Sequence, residues 1–349
     1  MTPQVNVLSL TCAELVSEMK RRFGKGLFHG AALYREIFKR GASTGFVAAP
    51  EFLASPALAE KLAVGVRLPE CRIAARREDG GVVKCGVELT DGRIVEFVVI
   101  PAKDRTTVCV SSQVGCRMGC AFCATAGMGF TRNLTADEIV WQVWAARFQL
   151  GFEVNNVVFM GMGEPLDNFD DVVQAVRVMN DQRGLDIPLR RITISTAGDV
   201  DGIRRLAALG MRNLCLAISL HATDDALRSA LMPINRRCSL ASLKQELLAF
   251  PLPKNGVVFI EYLLLAGVND SRPMARDLAR YLDGLPARVN VIAYNEARPG
   301  GRFAPPSSEH ARQFCGWLAE EGLFVRLRES RGRGAMAACG QLGAELATR

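Results

Sequence analysis

Three of the eleven cysteines in this 349-residue chain fall within eight residues, in Gly115-Cys116-Arg117-Met118-Gly119-Cys120-Ala121-Phe122-Cys123. A Cys-x3-Cys-x2-Cys loop can present three thiolates to three irons of a [4Fe–4S] cluster, which leaves the fourth iron open to a substrate. Structural zinc asks for four protein ligands and usually pairs one Cys-x2-Cys with a distant second one. No distant second pair exists here. Three incidental buried thiols would be the bland alternative. Clustered cysteines at ligand spacing, in a chain without a disulfide framework, more often carry chemistry. The odd cysteine count, the chain length and the lack of a secretory leader all argue against such a framework.

A second candidate follows at Met160-Gly161-Met162-Gly163-Glu164-Pro165. Glycines let backbone approach a ligand closely, and Glu164 can accept a hydrogen bond from a ligand's amino group. Alone, such a run is equally a plain turn; placed after the cysteine loop it gains weight. Of three histidines, His221 stands at a strand end in Ser219-Leu220-His221, whereas His29 and His310 read as ordinary. Cys12, Cys71, Cys85, Cys215, Cys238 and Cys315 have no partner pattern and read as inert thiols rather than ligands.

The elements that must position these groups follow from periodicity. Residues 13–23 and 31–38 show helical spacing of apolar residues within a locally basic unit over 1–65. Asp79-Gly80 and Asp91-Gly92 are hairpin signals, and with runs at 67–76, 82–89 and 93–100 they predict a three-stranded meander over 66–101. From 102 to 349, strands are expected at 106–110, 156–160, 191–196, 214–219, 257–263, 289–293 and 323–327. Helices are expected between them at 136–148, 172–181, 200–208, 240–250, 273–282 and 309–320. Repeated strand–helix units imply right-handed crossovers and a parallel sheet buried by helices. The fold class is therefore α/β. Periodicity leaves open whether the sheet is a partial barrel or doubly wound. In either case the cysteine loop follows the first parallel strand, where such sheets bind ligands.

Composition excludes several classes. Hydrophobic residues are 49% and charged residues 23%, a globular balance that rules out wholesale disorder, collagen and coiled coil. No apolar run reaches the roughly 18 residues of a membrane helix; the greasiest, 257–265, is interrupted by Glu261. The first residues lack a basic segment and carry Glu14 early, so a cytoplasmic protein is expected. A net charge of +7 suits a nucleic-acid partner without requiring one.

The cysteine spacing is similar to that of radical S-adenosylmethionine enzymes. Within them, the chain resembles the RlmN/Cfr adenosine methyltransferases of RNA. The resemblance is carried by Cys109-Val110-Ser111-Ser112-Gln113-Val114-Gly115-Cys116, Gly129-Phe130-Thr131-Arg132-Asn133-Leu134, Gly161-Met162-Gly163-Glu164-Pro165, Ser219-Leu220-His221-Ala222 and Ala337-Ala338-Cys339-Gly340-Gln341-Leu342. It implies a partial (β/α)6 radical SAM barrel with a small N-terminal helical accessory domain and a short β meander. The implied cofactors are a [4Fe–4S] cluster on Cys116, Cys120 and Cys123, and S-adenosylmethionine. Implied cofactor contacts are Gly163, Glu164, Ser195, Ser219, Leu220, His221 and Asn295.

The resemblance also implies why two further cysteines are present. One S-adenosylmethionine methylates Cys339; a second yields a radical that takes hydrogen from the S-methyl group, and the carbon then bonds to an adenine carbon, C2 ahead of C8. Cys109 releases the adduct by attacking the Cys339 sulfur, leaving a disulfide to be reduced. Glu96 matches the family's proton acceptor by spacing, and its apolar run Val95-Glu96-Phe97-Val98 suggests a carboxylate raised by burial.

The implied partners are RNA, 23S ribosomal RNA first and transfer RNA second, and an electron donor for the cluster; no DNA and no membrane are expected. Arg298, Arg302, Arg326, Arg328, Arg331 and Arg333 are candidates for phosphate contacts. Two segments depart from the family pattern. Arg331-Gly332-Arg333-Gly334-Ala335-Met336 replaces residues that are usually acidic, and the turn after Asn295 reads Glu296-Ala297-Arg298-Pro299-Gly300-Gly301-Arg302. Alternatives are a radical enzyme acting on another RNA, a peptide or a small molecule, and a non-catalytic iron–sulfur RNA-binding protein.

Overall fold

The computed structural model describes residues 4–296, 301–328, 332 and 334–343. Its N-terminal part is helical: α1 (Cys12–Phe23), α2 (Leu27–Phe38) and α3 (Pro56–Gly65). A capping box between Thr11 and Glu14 starts α1, and Gly24 in the left-handed region ends it. Hydrogen bonds fasten this part to the helices and loops of the larger domain, from Trp144 Nε1 to Ile37 O at 2.9 Å and from Cys12 N to Asp181 Oδ2 at 2.6 Å.

One sheet of ten strands forms the rest. In chain order they are β1 (Arg72–Asp79), β2 (Val82–Glu88), β3 (Ile94–Ala102), β4 (Arg105–Cys109), β5 (Val154–Phe159), β6 (Ile192–Thr196), β7 (Cys215–Ser219), β8 (Val258–Leu264), β9 (Ala287–Ala293) and β10 (Val325–Arg328). Each strand pairs with its predecessor, so the spatial order is β1 to β10. The first four are antiparallel and β4 to β10 are parallel. Between the parallel strands run α4 (Ala136–Phe148), α5 (Phe169–Asn180), α6 (Val200–Ala208), α7 (Leu240–Ala249), α8 (Arg272–Leu282) and α9 (Ser308–Glu320). Six strand–helix units and a closing strand make the radical SAM α/β architecture, with the meander continuing its sheet. β8 is buried along nearly all its length, as helix-covered parallel strands require.

Several boundaries differ from expectation, for local reasons. The first meander strand runs 72–79, not 67–76. Pro69 cannot donate to a ladder, and Gly80-Gly81, both at positive φ, form the two-residue turn that sets its end. The helix expected at 172–181 begins at Phe169, directly after the turn Pro165–Asn168. An antiparallel pair, Gln113–Gly115 with Phe130–Asn133, was not anticipated, nor was the short helix Asp225–Leu231. No described helix is long and apolar enough to cross a membrane. Arg298, Arg331 and Arg333, with residues 297, 299 and 300 of the turn after Asn295, lie outside the described residues.

Candidate active site

The cysteine loop is held at its neck by the unanticipated strand pair. Cys116 N donates to Gly129 O at 2.8 Å. Gly115 sits there at φ 75°, and a Cβ on it would lie 1.8 Å from Gly129 O, so only glycine fits. The far side of the loop is pinned by Ala121 N, which donates to Leu231 O at 2.9 Å. Cys116, Cys120 and Cys123 then line one cavity at the carboxyl ends of the parallel strands. Gly163, Glu164, Ser195, Ser219, His221, Glu261 and Cys339 share it.

The donor set fits a [4Fe–4S] cluster. Burial pushes the Cys116 thiol up to about 12 and raises Cys120 further, with the neighbouring thiols adding to the rise. Two thiols so deeply desolvated ionise only against a bound cation. Among the described residues, no group of three His, Cys, Asp or Glu converges on a single metal ion. Cluster ligation asks instead for thiolates spread over three irons.

Glu164 is buried and oriented by backbone. Its Oε2 accepts from Ala197 N at 2.8 Å and its Oε1 from Leu166 N at 3.2 Å, while its own N–H donates to Gln113 Oε1 at 2.9 Å. Gly163 makes this approach possible, since a Cβ there would lie 2.6 Å from Gln113 Cβ. Burial raises the Glu164 carboxyl to about 7, against the lowering effect of its hydrogen bonds. A carboxyl raised from an ordinary 4.5 contributes stability below that pH and loses it as pH rises through about 7. For the ligand-free protein the loss amounts to roughly 3 kcal/mol. Urea melts at pH 5 and pH 8 should show wild type weakening relative to Glu164→Gln; parallel curves would refute this.

His221 is buried at φ 61° with its Nδ1 accepting from Leu263 N at 3.0 Å, which assigns the ring proton to Nε2. Burial foremost, then the Arg228 charge, lower it to about 3, so the ring is neutral. Phe122 of the cysteine loop packs edge-on against it, with ring centroids 5.0 Å apart. Ser195 and Ser219 stand on the cavity wall. The Leu220 side chain lies in the core and is not part of the cavity wall. Asn295 is buried just after β9 but is not part of the cavity wall.

Cys339 is exposed, on a turn at the cavity. Desolvation foremost and then the Glu261 carboxylate push the thiol up to about 11, with Arg328 acting the other way. Its loop is docked on the turn that follows the cluster thiols: Ala124 N donates to Gly340 O at 2.8 Å, and Thr125 Oγ1 to Leu342 O at 2.7 Å. Cys109 ends β4, buried behind the cavity. Its thiol is raised by burial and next by the Cys339 thiol. Both are free thiols.

Glu96 shares a sheet face with Cys109, because Val98 lies opposite Cys109. Its surroundings are not the apolar ones its sequence suggested. Lys84 Nζ lies 3.3 Å from Oε1, and Gly343 N, on the Cys339 loop, donates to Oε2 at 2.8 Å. Sequence reasoning missed Phe122, Glu261 and Arg228. Glu261 had a signal, as the one charge in an apolar run, and Arg228 had none.

A three-thiol loop after the first parallel strand, with Gly-Glu at the end of the next, defines a radical S-adenosylmethionine enzyme, and the profile of the Radical SAM superfamily matches residues 110–278. The chain is 39% identical over 341 residues to a "probable dual-specificity RNA methyltransferase RlmN 1" of Protochlamydia amoebophila, covering 98% of this chain and 94% of the relative. It therefore belongs to the RlmN family. It is also 40% identical to the Syntrophobacter fumaroxidans "dual-specificity RNA methyltransferase RlmN", with 98% of each chain covered. The crystal structure of a radical SAM methyltransferase from Sphaerobacter thermophilus superposes with TM-score 0.89 at 37% identity, over 98% of this chain and 100% of that one. The cofactors are a [4Fe–4S] cluster and S-adenosylmethionine.

Proposed function

We propose that the protein methylates an adenine carbon of RNA, C2 ahead of C8, in 23S ribosomal RNA and in transfer RNA. The observation that supports this most is the placement of Cys339 on the wall of the cavity that the three cluster thiols line, with Cys109 behind it. When bound, the cluster and S-adenosylmethionine supply a methyl group, an electron and a hydrogen-abstracting carbon radical.

The chain's own residues then divide the work. Cys116, Cys120 and Cys123 hold the irons. Glu164, Gly163, Ser195, Ser219, His221, the Leu220 backbone and Asn295 hold the cofactor. His221 is suited to donate from Nε2, and Glu164 to accept from an amino group. Cys339 gives up its proton, takes the methyl group on sulfur and carries that carbon to the base. Glu96 takes the proton from the base carbon, once Gly343 releases Oε2. Cys109 as thiolate attacks the Cys339 sulfur, the carbon–sulfur bond breaks with its electron pair left on the carbon, that carbon takes up a proton to become the methyl group on the base, and a thiol reductant returns the resulting disulfide to two thiols.

The N-terminal unit over 1–65 and the exposed Arg302, Arg326 and Arg328 serve as phosphate contacts, with affinity that falls as salt rises. The target adenine leaves its stack to reach the cavity. The protein acts in the cytoplasm with a cellular electron donor. The test is to incubate cluster-loaded protein anaerobically with S-adenosylmethionine, reductant and unmodified 23S RNA or transfer RNA, then separate nucleosides by mass spectrometry. 2-Methyladenosine is expected from both. 8-Methyladenosine would move the assignment to C8. No methyladenosine from either RNA, with S-adenosylmethionine still cleaved, would overturn the substrate reading.

A further inference from the structure

Arg228 is the largest fully buried side chain in the protein, at 0% exposure. It stands on the short helix Asp225–Leu231 behind the cavity. Its Nε donates to Leu220 O at 3.1 Å, Nη1 to Asn235 Oδ1 at 2.8 Å, and Nη2 to Ala197 O at 2.7 Å and Ser219 O at 3.2 Å. All four acceptors are neutral. Among the described residues no carboxylate lies within ion-pair distance of it. Asp225, the one carboxylate named among the groups that act on it, is itself held by Asn235 Nδ2 and Leu240 N. A guanidinium taken out of water without an anionic partner costs several kcal/mol. Satisfying four N–H groups does not remove the charge.

The end of the same helix packs against the loop that carries the three thiols. Leu231 O receives Ala121 N of the cysteine loop, Met232 lines the cavity with the three thiols, and Gly119 abuts Pro233. The guanidinium and the Cys120 thiol act on one another electrostatically, and the same charge reaches His221, next in the chain to the Leu220 carbonyl that it holds. A [4Fe–4S] core with three thiolate ligands is net negative, and an added electron makes it more so. A nearby cation in a low-dielectric interior favours that uptake. Arg228 does not line the cavity, so it acts through its field rather than as a ligand contact.

We infer that Arg228 is the fixed counter-charge of the iron–sulfur cluster, raising its reduction potential while fastening the ends of β6 and β7 that wall the site. The inference rests on the three-thiol cluster assignment but not on the RNA substrate. It makes Arg228 a positioning residue with an electrostatic role, which Lys can supply in part and a neutral residue cannot.

The test is an EPR-monitored redox titration of the reconstituted full-length protein, with four irons per chain verified first. A protein that takes up no cluster would indict the cluster assignment, not Arg228. Arg228→Gln should show a midpoint potential more negative than wild type. Arg228→Lys should match wild type at mildly acidic pH and fall towards the Gln value at alkaline pH, because a buried lysine without a carboxylate loses its proton early. Its titratable neighbours Asp225, Cys238, Tyr281 and Cys120 are common to both proteins, so the difference between the curves isolates the lysine. A loaded Arg228→Gln protein at wild-type potential would overturn the inference. If that variant fails to fold, an Arg228→Lys curve parallel to wild type at every pH would do the same.

Discussion

Replacing Cys339 with alanine should reduce RNA methylation by roughly 10^4-fold, the scale on which loss of a covalent nucleophile is felt. The substitution should leave the iron content untouched. Cys339 is not one of the three clustered thiols, and its side chain makes none of the bonds that dock its loop, which run through Gly340 O, Leu342 O and Gly343 N. S-Adenosylmethionine should still be cleaved under reducing conditions. Peptide mass spectrometry gives the complementary readout: the wild-type peptide containing Cys339 should carry one methyl group when isolated from cells, and the alanine variant none. Wild-type methylation by the variant would leave Cys339 as a mere wall residue and defeat the two-cysteine mechanism.

Cys109→Ala should fail at a different stage. Methyl transfer to Cys339 and carbon–carbon bond formation do not need Cys109, whereas release does. The variant should therefore accumulate protein covalently joined to RNA, visible as a shifted band on a denaturing gel, with turnover stopping near one equivalent. Nuclease digestion should leave a nucleoside on the peptide containing Cys339. Burial at the end of β4 lets a small side chain be accepted there, so the fold should survive with a modest cost of about 1 kcal/mol. Steady turnover without adduct would remove Cys109 from the reaction and require another route of release.

How much of this site can be read in the sequence varies by residue, for physical reasons. Cys116, Cys120 and Cys123 are legible because ligand spacing is local, and Glu164 because the glycines that let it approach the backbone are its neighbours. The order of parallel strands and helices is legible because burial on two faces writes long apolar runs. The strand pair at 113–115 and 130–133 is not, since three or four residues are too few to show alternation. The ion pair of Glu96 with Lys84 depends on the register between β2 and β3, where Gly86 opposes Glu96; an apolar run around Glu96 says nothing of the strand beside it. Arg228 is invisible in the sequence because its partners are mostly main-chain carbonyls, which every residue has. Cys109 and Cys339 stand out by resemblance alone, because neither lies in a local pattern of ligand spacing.

Because every strand pairs with the one before it, the sheet can be assembled in the order in which a ribosome delivers it. Long-range pairings are slow to form and leave unpaired edges exposed while the chain waits; here each newly emerged strand finds its partner edge already made. Glu96, Cys109 and the cysteine loop emerge early, and the strand ends bearing Glu164, Ser195 and His221 follow in turn. The segment with Cys339 comes after all ten strands, and docks on a turn and a carboxylate that have been waiting for it. A nascent chain can thus present its clustered thiols while the cavity is still open, and bring in Cys339 as the closing piece.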